Sequence, residues 1–171
     1  MYLNLKYLNN KLHLGNNKTK YLNIQTENFN NKGEPLIVSY DLEIDNYAKT
    51  VGSKTFVNMN IDKTLSKSKI DTKDRKYSKK IDNTYKRVYT TTFTIPQGYS
   101  VTSLPDDSAF ADPRFGFSIT YSKENNKVVQ KKEIYINTLR VDKIDFEVWN
   151  DFITSIIKAY RKTITIEALP W

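Results

Sequence analysis

Between Leu36 and Ile44 the chain alternates strictly. Leu36, Val38, Tyr40, Leu42 and Ile44 are apolar, and Ser39, Asp41 and Glu43 stand between them. A period of two with polar partners predicts a half-buried strand, here running from Pro35. Gly52-Ser53 predicts a turn. Lys54 to Ile61 predicts a second strand with Val57, Met59 and Ile61 on one face, expected to pair with the first as a hairpin or near neighbour. The clearest hairpin lies further on. Phe115, Phe117, Ile119 and Tyr121 alternate, Glu124-Asn125-Asn126 supplies turn chemistry, and Val128 to Leu139 returns with Val128, Ile134 and Ile136 on one face.

Other segments follow the same logic. Tyr2 to Leu14 fits a helical face or a strand, and Gly15-Asn16-Asn17 breaks it. Tyr21 to Thr26 predicts a short strand. Val88 to Ile95, with Tyr89, Phe93 and Ile95 on one face, ends at Pro96, which has no amide hydrogen to donate. Ile95-Pro96-Gln97-Gly98 suits a type I turn. Tyr99 to Leu104 resumes extended structure, and Pro105-Asp106-Asp107 turns again. Near the end, Trp149, Phe152, Ile153, Ile156, Ile157 and Tyr160 recur at helical spacing, with Asp142 as the expected N-cap. The acids Asp145, Glu147 and Asp151 precede the bases Lys158, Arg161 and Lys162, an order that complements the helix dipole. Thr163 to Glu167 predicts a closing strand with Ile164 and Ile166 inward. There is no internal repeat. The reading is a mainly β chain: an antiparallel β-sandwich-like domain with one C-terminal amphipathic helix packed on a sheet. One β-rich domain is expected over residues 1–171, with 1–20 either an N-terminal extension or the tail of a preceding domain.

Residues 62–87 break the pattern. They carry ten basic and four acidic side chains and few large apolar ones. The segment predicts a long exposed connection with one short edge strand, and a loop of that length can carry function.

Composition narrows the chemistry. The 171 residues include no Cys and one His, His13, so disulfides, thiolate nucleophiles and Cys-ligated metals are excluded. A Ser-His-Asp mechanism or a His-ligated zinc would have to run through His13, which reads as an ordinary surface residue. The net charge of +8 comes from a Lys-rich, Arg-poor composition. Arg supplies the bidentate base contacts of most nucleic-acid readers, so nucleic acid is not the expected partner. No apolar run is long enough to span a membrane. No signal peptide opens the chain, which implies either a cytoplasmic product or a natural start upstream of Met1.

Ile95-Pro96-Gln97-Gly98-Tyr99-Ser100-Val101-Thr102-Ser103-Leu104-Pro105 and Phe115-Gly116-Phe117-Ser118-Ile119-Thr120-Tyr121, with the helix around Trp149 and its closing strand, resemble a known family. It is the C-terminal domain of unknown function that follows a transglutaminase-like core in large exported bacterial proteins. The likeness runs over roughly residues 20–168 and is looser at Pro35 to Tyr40 and at Arg75-Lys76-Tyr77, where Ser78 replaces a Pro frequent in the family. The resemblance implies a non-catalytic domain, in the periplasm or cell envelope as part of an exported protein, that packs against or positions the neighbouring core. It carries over no catalytic residue and no cofactor. It also implies that export signals would lie upstream of Met1.

Three groups of residues are candidate sites. The basic segment offers Lys63, Lys67, Lys69, Lys73, Arg75, Lys76, Lys79 and Lys80, with Tyr77 and Tyr85, as a binding surface for an anionic or polysaccharide envelope partner. Asp106, Asp107 and Asp112 are hard oxygen ligands on a loop and could hold Ca²⁺, although no EF-hand spacing is present. Exposed Tyr side chains, Tyr47, Tyr77 and Tyr85 foremost, and Trp171 could stack on sugars. Trp149, on the helical stripe, reads as core.

Overall fold

A computed structural model describes residues 19–31, 33–34, 37–73 and 75–170. In chain order the strands are β1 (Thr19–Glu27), β2 (Ile37–Ile44), β3 (Lys49–Val51), β4 (Lys54–Val57), β5 (Lys79–Lys80), β6 (Tyr85–Thr94), β7 (Tyr99–Ser103), β8 (Ser108–Asp112), β9 (Phe115–Glu124), β10 (Lys127–Ile136), β11 (Arg140–Val141) and β12 (Ile164–Ala168). Helix α1 (Phe146–Ala159) stands between β11 and β12, after a 3₁₀ turn at Lys143–Asp145. The chain divides into two units, Met1–Tyr47 and Ala48–Trp171.

In the first unit β1 and β2 form an antiparallel ribbon, Thr19 opposite Ile44 and Glu27 opposite Ile37. Its register shifts between Leu22 and Gln25, where Asn23 takes a φ of 51° and donates to the Asp41 carboxylate at 2.6 Å. The Tyr21 and Tyr40 rings meet edge-on at 5.4 Å. The alternating strand therefore takes β1 as its partner, not the Lys54 strand as expected. Asn28, at φ 59°, and the hydrogen bond from Asn31 N to Asn28 O turn the chain between β1 and β2. Pro35, Leu36 and the ambiguous segment Tyr2 to Leu14, with His13, lie outside the described residues, as does Trp171.

The second unit holds two four-stranded antiparallel sheets, ordered β3-β4-β12-β7 and β6-β10-β9-β8, and the small β11-β5 ribbon. β9 and β10 pair along their whole lengths, Phe115 opposite Ile136 and Glu124 opposite Lys127, as the alternation predicts. β4 ends at Val57, so Met59 and Ile61 lie beyond it. The turn after β6 is shifted by one residue from the expected one. Tyr99 N donates to Pro96 O at 3.1 Å, which puts Gly98 at the third position with a φ of 80°. A left-handed third residue defines a type II geometry and explains the glycine.

Helix α1 lays Phe146, Trp149, Phe152, Ile153, Ile156 and Ala159 on the inner face of the second sheet, against Phe115, Phe117, Ile119, Ile134 and Ile136. Phe115 lies 5.1 Å edge-on to Trp149 and 5.2 Å from Phe152. Gly116 allows this packing, because a Cβ there would come within 2.5 Å of Phe110 O and of the hydroxyl of Tyr135, its cross-strand partner. Asp142 does not cap the helix as expected. Its carboxylate instead accepts from Ser78 Oγ at 2.7 Å and from Arg140, and these bonds hold it below the usual carboxylate range. A second, smaller apolar cluster, Met59, Val128 and Ile164 with Val57, Phe93, Val101 and Leu104 packed on it, joins the two four-stranded sheets.

Candidate functional site

The basic segment is built onto the helix rather than looped into solvent, which corrects the expected exposed excursion. Asp62 opens it with an Asx turn, its carboxylate accepting from Thr64 N and Thr64 Oγ1 at 2.7 Å each. Four side chains of the core then hold its backbone. Lys132 Nζ donates to Asp62 O at 2.6 Å, Tyr160 Oη to Thr64 O at 2.9 Å, and Trp149 Nε1 to Ser68 O at 2.8 Å. Asn150 accepts from Ile70 N at 2.8 Å and donates to Ile70 O at 2.9 Å. Ile70 itself is buried in the main core, with Leu65 and Ile81 packed against it. The expected edge strand is β5, whose partner is β11; Ile81 N then donates to Leu139 O.

The outer side of this segment carries the predicted cations. Lys63, Lys67 and Lys69 project between the anchors, and Lys73, Arg75, Lys76 and Lys80 are exposed further along. Arg75 donates to the Tyr77 and Ser78 carbonyls at 3.0 and 3.3 Å, shaping the approach to β5. Lys79 departs from the expectation: half-buried, its ammonium sits 5.8 Å from the centre of the Trp149 ring. Tyr85 departs further. It packs on the core under the Arg87 guanidinium at 4.6 Å, and burial pushes its hydroxyl pKa up. Tyr47 is likewise half-buried, whereas Tyr77 is 81% exposed.

Other large apolar side chains that the sequence did not single out are exposed as well. Leu139 (57% exposed) adjoins the β5-β11 ribbon, and Ile144 (89%) and Val148 (37%) follow it one helical turn apart. Arg75, Lys76, Lys80, Arg140 and Lys143 are exposed cations near these residues in the sequence. Of them only Arg140 has a carboxylate partner among the described residues, Asp142 at 2.9 Å. Signals were available in Ile144 and Val148, apolar residues off the main helical stripe.

The aspartates do not form a metal site. Asp107 accepts from Tyr121 N at 3.1 Å, and Asp106 O accepts from Lys162 Nζ at 2.7 Å. Asp112 is bound bidentately by Arg114 at 2.9 and 3.1 Å, which lowers its pKa, and Arg114 also reaches Asp145 at 2.7 Å. Among the described residues no three His, Cys, Asp or Glu side chains gather as a metal site. Arg114 consumes the charge that a cation would need.

A polar seam was missed altogether. The inner face of β10 reads Val128, Gln130, Lys132, Ile134, Ile136, and all five are buried. Gln130 donates to Tyr121 Oη at 3.0 Å and to Asn60 Oδ1 at 3.2 Å. Lys132, 2% exposed, points its ammonium between the Tyr89 and Tyr160 rings at 4.5 and 5.0 Å, and burial lowers its pKa to about 8 against a weaker upward pull from Asp62. The period of two that placed Val128 and Ile134 inward places Gln130 and Lys132 beside them. Among the described residues no buried side-chain nitrogen or oxygen lacks a partner, so the seam is saturated.

The fold is similar, at a TM-score of 0.50 and 12% sequence identity, to the crystal structure of a Parabacteroides distasonis protein provisionally described as a protease. The match covers 61% of this chain and 20% of that one, so this chain spans about a fifth of that protein's length. No curated protein matches the sequence. Among the described residues no helix is long and apolar enough to cross a membrane. The family model described as Domain of Unknown Function with solved-structure structure (DUF3858) matches residues 53–166, spanning the helix, its sheet and the anchored basic segment. That match covers more than half of the sequence, and the chain belongs to the DUF3858 family of domains of unknown function.

Proposed function

We propose that this chain is a non-catalytic accessory module of a larger exported bacterial protein, docking on a neighbouring transglutaminase-like core through the corner at Tyr77, Leu139, Ile144 and Val148. The observation that carries the reading is the exposure of those four side chains, among them Ile144 and Tyr77, the two most exposed large apolar residues of the described unit. Exposed apolar groups rimmed by polar ones suit a protein interface. The exposed cations Arg75, Lys76, Lys80 and Lys143 would suit an acidic counterpart and set orientation more than affinity. The likeness to one fifth of a longer protein supports a modular role. Immunoblots of fractionated source cells, with an antibody to residues 48–171, should detect a product several times larger than 20.0 kDa in the envelope fraction. In that product Ile144→Asp should speed hydrogen exchange around the corner. A 20.0 kDa cytoplasmic band would overturn both location and role.

A second reading makes the same segment a module for an anionic envelope glycan. Its support is the set Lys63, Lys67, Lys69, Lys73, Lys76 and Lys80, ammonium groups that face outward without a carboxylate partner among the described residues. Binding of that kind weakens steeply with salt, whereas docking through the apolar corner does not.

A further inference from the structure

A groove of about 490 Å³ opens where the β6–β7 turn and the β9–β10 turn lie side by side. Its walls are backbone-fixed. Ile95 N donates to Asn126 O at 2.8 Å, Tyr99 N to Pro96 O at 3.1 Å, and Leu169 N to Gly98 O at 2.7 Å. Gly98 and Asn125 hold left-handed φ values of 80° and 53°, which set the shape of both turns. Five side chains line it with their functional groups uncommitted: Gln97, Tyr99, Lys123, Asn125 and Asn126 make no side-chain hydrogen bond or ion pair with any described residue. Tyr99 is 39% exposed, and its ring contacts no aromatic ring among the described residues. Three carboxamides, each both donor and acceptor, can engage vicinal hydroxyls from two sides. A free Tyr offers an apolar plate with a polar tip to the faces of a sugar ring. One exposed ammonium, screened by solvent, is too little charge to select a polyanion.

We infer that this groove is a saccharide subsite taking a short neutral pyranose oligosaccharide. Tyr99 would stack on one ring, and Gln97, Asn125 and Asn126 would bond its hydroxyls. The groove shares no residue with the basic corner, so the two can fail separately.

The test is amide chemical-shift mapping of the full chain titrated with cellotetraose, maltotetraose and chitotetraose. At least one probe should shift residues 96–100 and 123–126, with an affinity unchanged by a roughly tenfold rise in salt. Tyr99→Ala should weaken that probe about tenfold, the scale of one aromatic contact. Gln97→Ala should weaken it about fivefold, the scale of one neutral hydrogen bond. Gln97 lies in the turn and Tyr99 opens β7, and an unchanged thermal melt separates lost binding from lost fold. Silence at both turns with all three probes overturns the inference. So do shifts confined to residues 62–87, or an affinity indifferent to Tyr99→Ala.

Discussion

Helix α1 and the basic segment tied to it are attached to the same core in different proportions of apolar packing and hydrogen bonding. The helix is held by a broad stripe of side chains, Trp149, Phe152, Ile153 and Ile156, none more than slightly exposed. The segment buries one apolar side chain, Ile70, and is otherwise held mainly by its backbone, through carbonyls of Asp62, Thr64, Ser68 and Ile70 that meet Lys132, Tyr160, Trp149 and Asn150. Apolar attachment is spread over many atoms and has no direction. Attachment by hydrogen bonds is pointwise, so one substitution can release one stretch while leaving the rest in place.

Trp149 belongs to both systems, and removing it tests them together. Trp149→Ala should cost about 3–5 kcal/mol in denaturant unfolding, from the cavity and from the lost Ser68 bond. Trp149→Phe should recover most of that cost while still exposing the Ser68 carbonyl. A melt unchanged by Trp149→Ala would break the helix-on-sheet packing itself.

The Lys132 anchor adds a pH signature. The ammonium loses its proton near 8 in the fold, against 10.5 ordinarily. Between those values the unfolded chain binds more protons, so stability from this group should rise with pH across the window, on the order of 2 kcal/mol. Tyr160, raised by burial, acts with the opposite sign above its ordinary 10.0. Urea midpoints measured from neutral pH to pH 10 should climb in the natural chain and stay flat in Lys132→Met.

Asn150→Ala should cost about 1–2 kcal/mol, since it strips Ile70 of both bonds. It should also speed amide exchange at Ile70 well before that of the helix. Uniform exchange across both would mean that the segment and helix open as one unit. The smallest effect belongs to the outer cations. Reversing Lys73, Lys76 and Lys80 together should move stability by less than about 0.5 kcal/mol. Lys79 is left out because it packs over Trp149.

Side-chain periodicity made much of this legible. The β9-β10 hairpin, the helical stripe and the closing strand stand where their alternation or helical spacing placed them. The anchored segment was not legible, because its ties use carbonyls that every residue possesses and partners far along the chain. Lys63, Lys67 and Lys69 do face solvent, so their charge was informative about one side of the segment only. Asp142 and Asp112 suggested a cap and a metal ligand because a local reading cannot see Ser78, Arg140 or the bidentate grip of Arg114. The pairing of β2 was misjudged for a related reason: alternation fixes which face is buried but not which strand lies alongside.

Strand β12 sits inside its sheet, between β4 and β7, with Ile164 opposite Val57 and Ile166 opposite Val101. On a ribosome, β4 and β7 emerge long before the strand that joins them. Until β12 arrives, each presents an unpaired edge to other nascent chains. The closing step also bridges a long loop between Val57 and Ile164, an entropic cost met before the pairing repays it. Synthesis order thus makes this sheet the last part of the unit to set, and a chain stopped short of Ile164 a ready seed for aggregation.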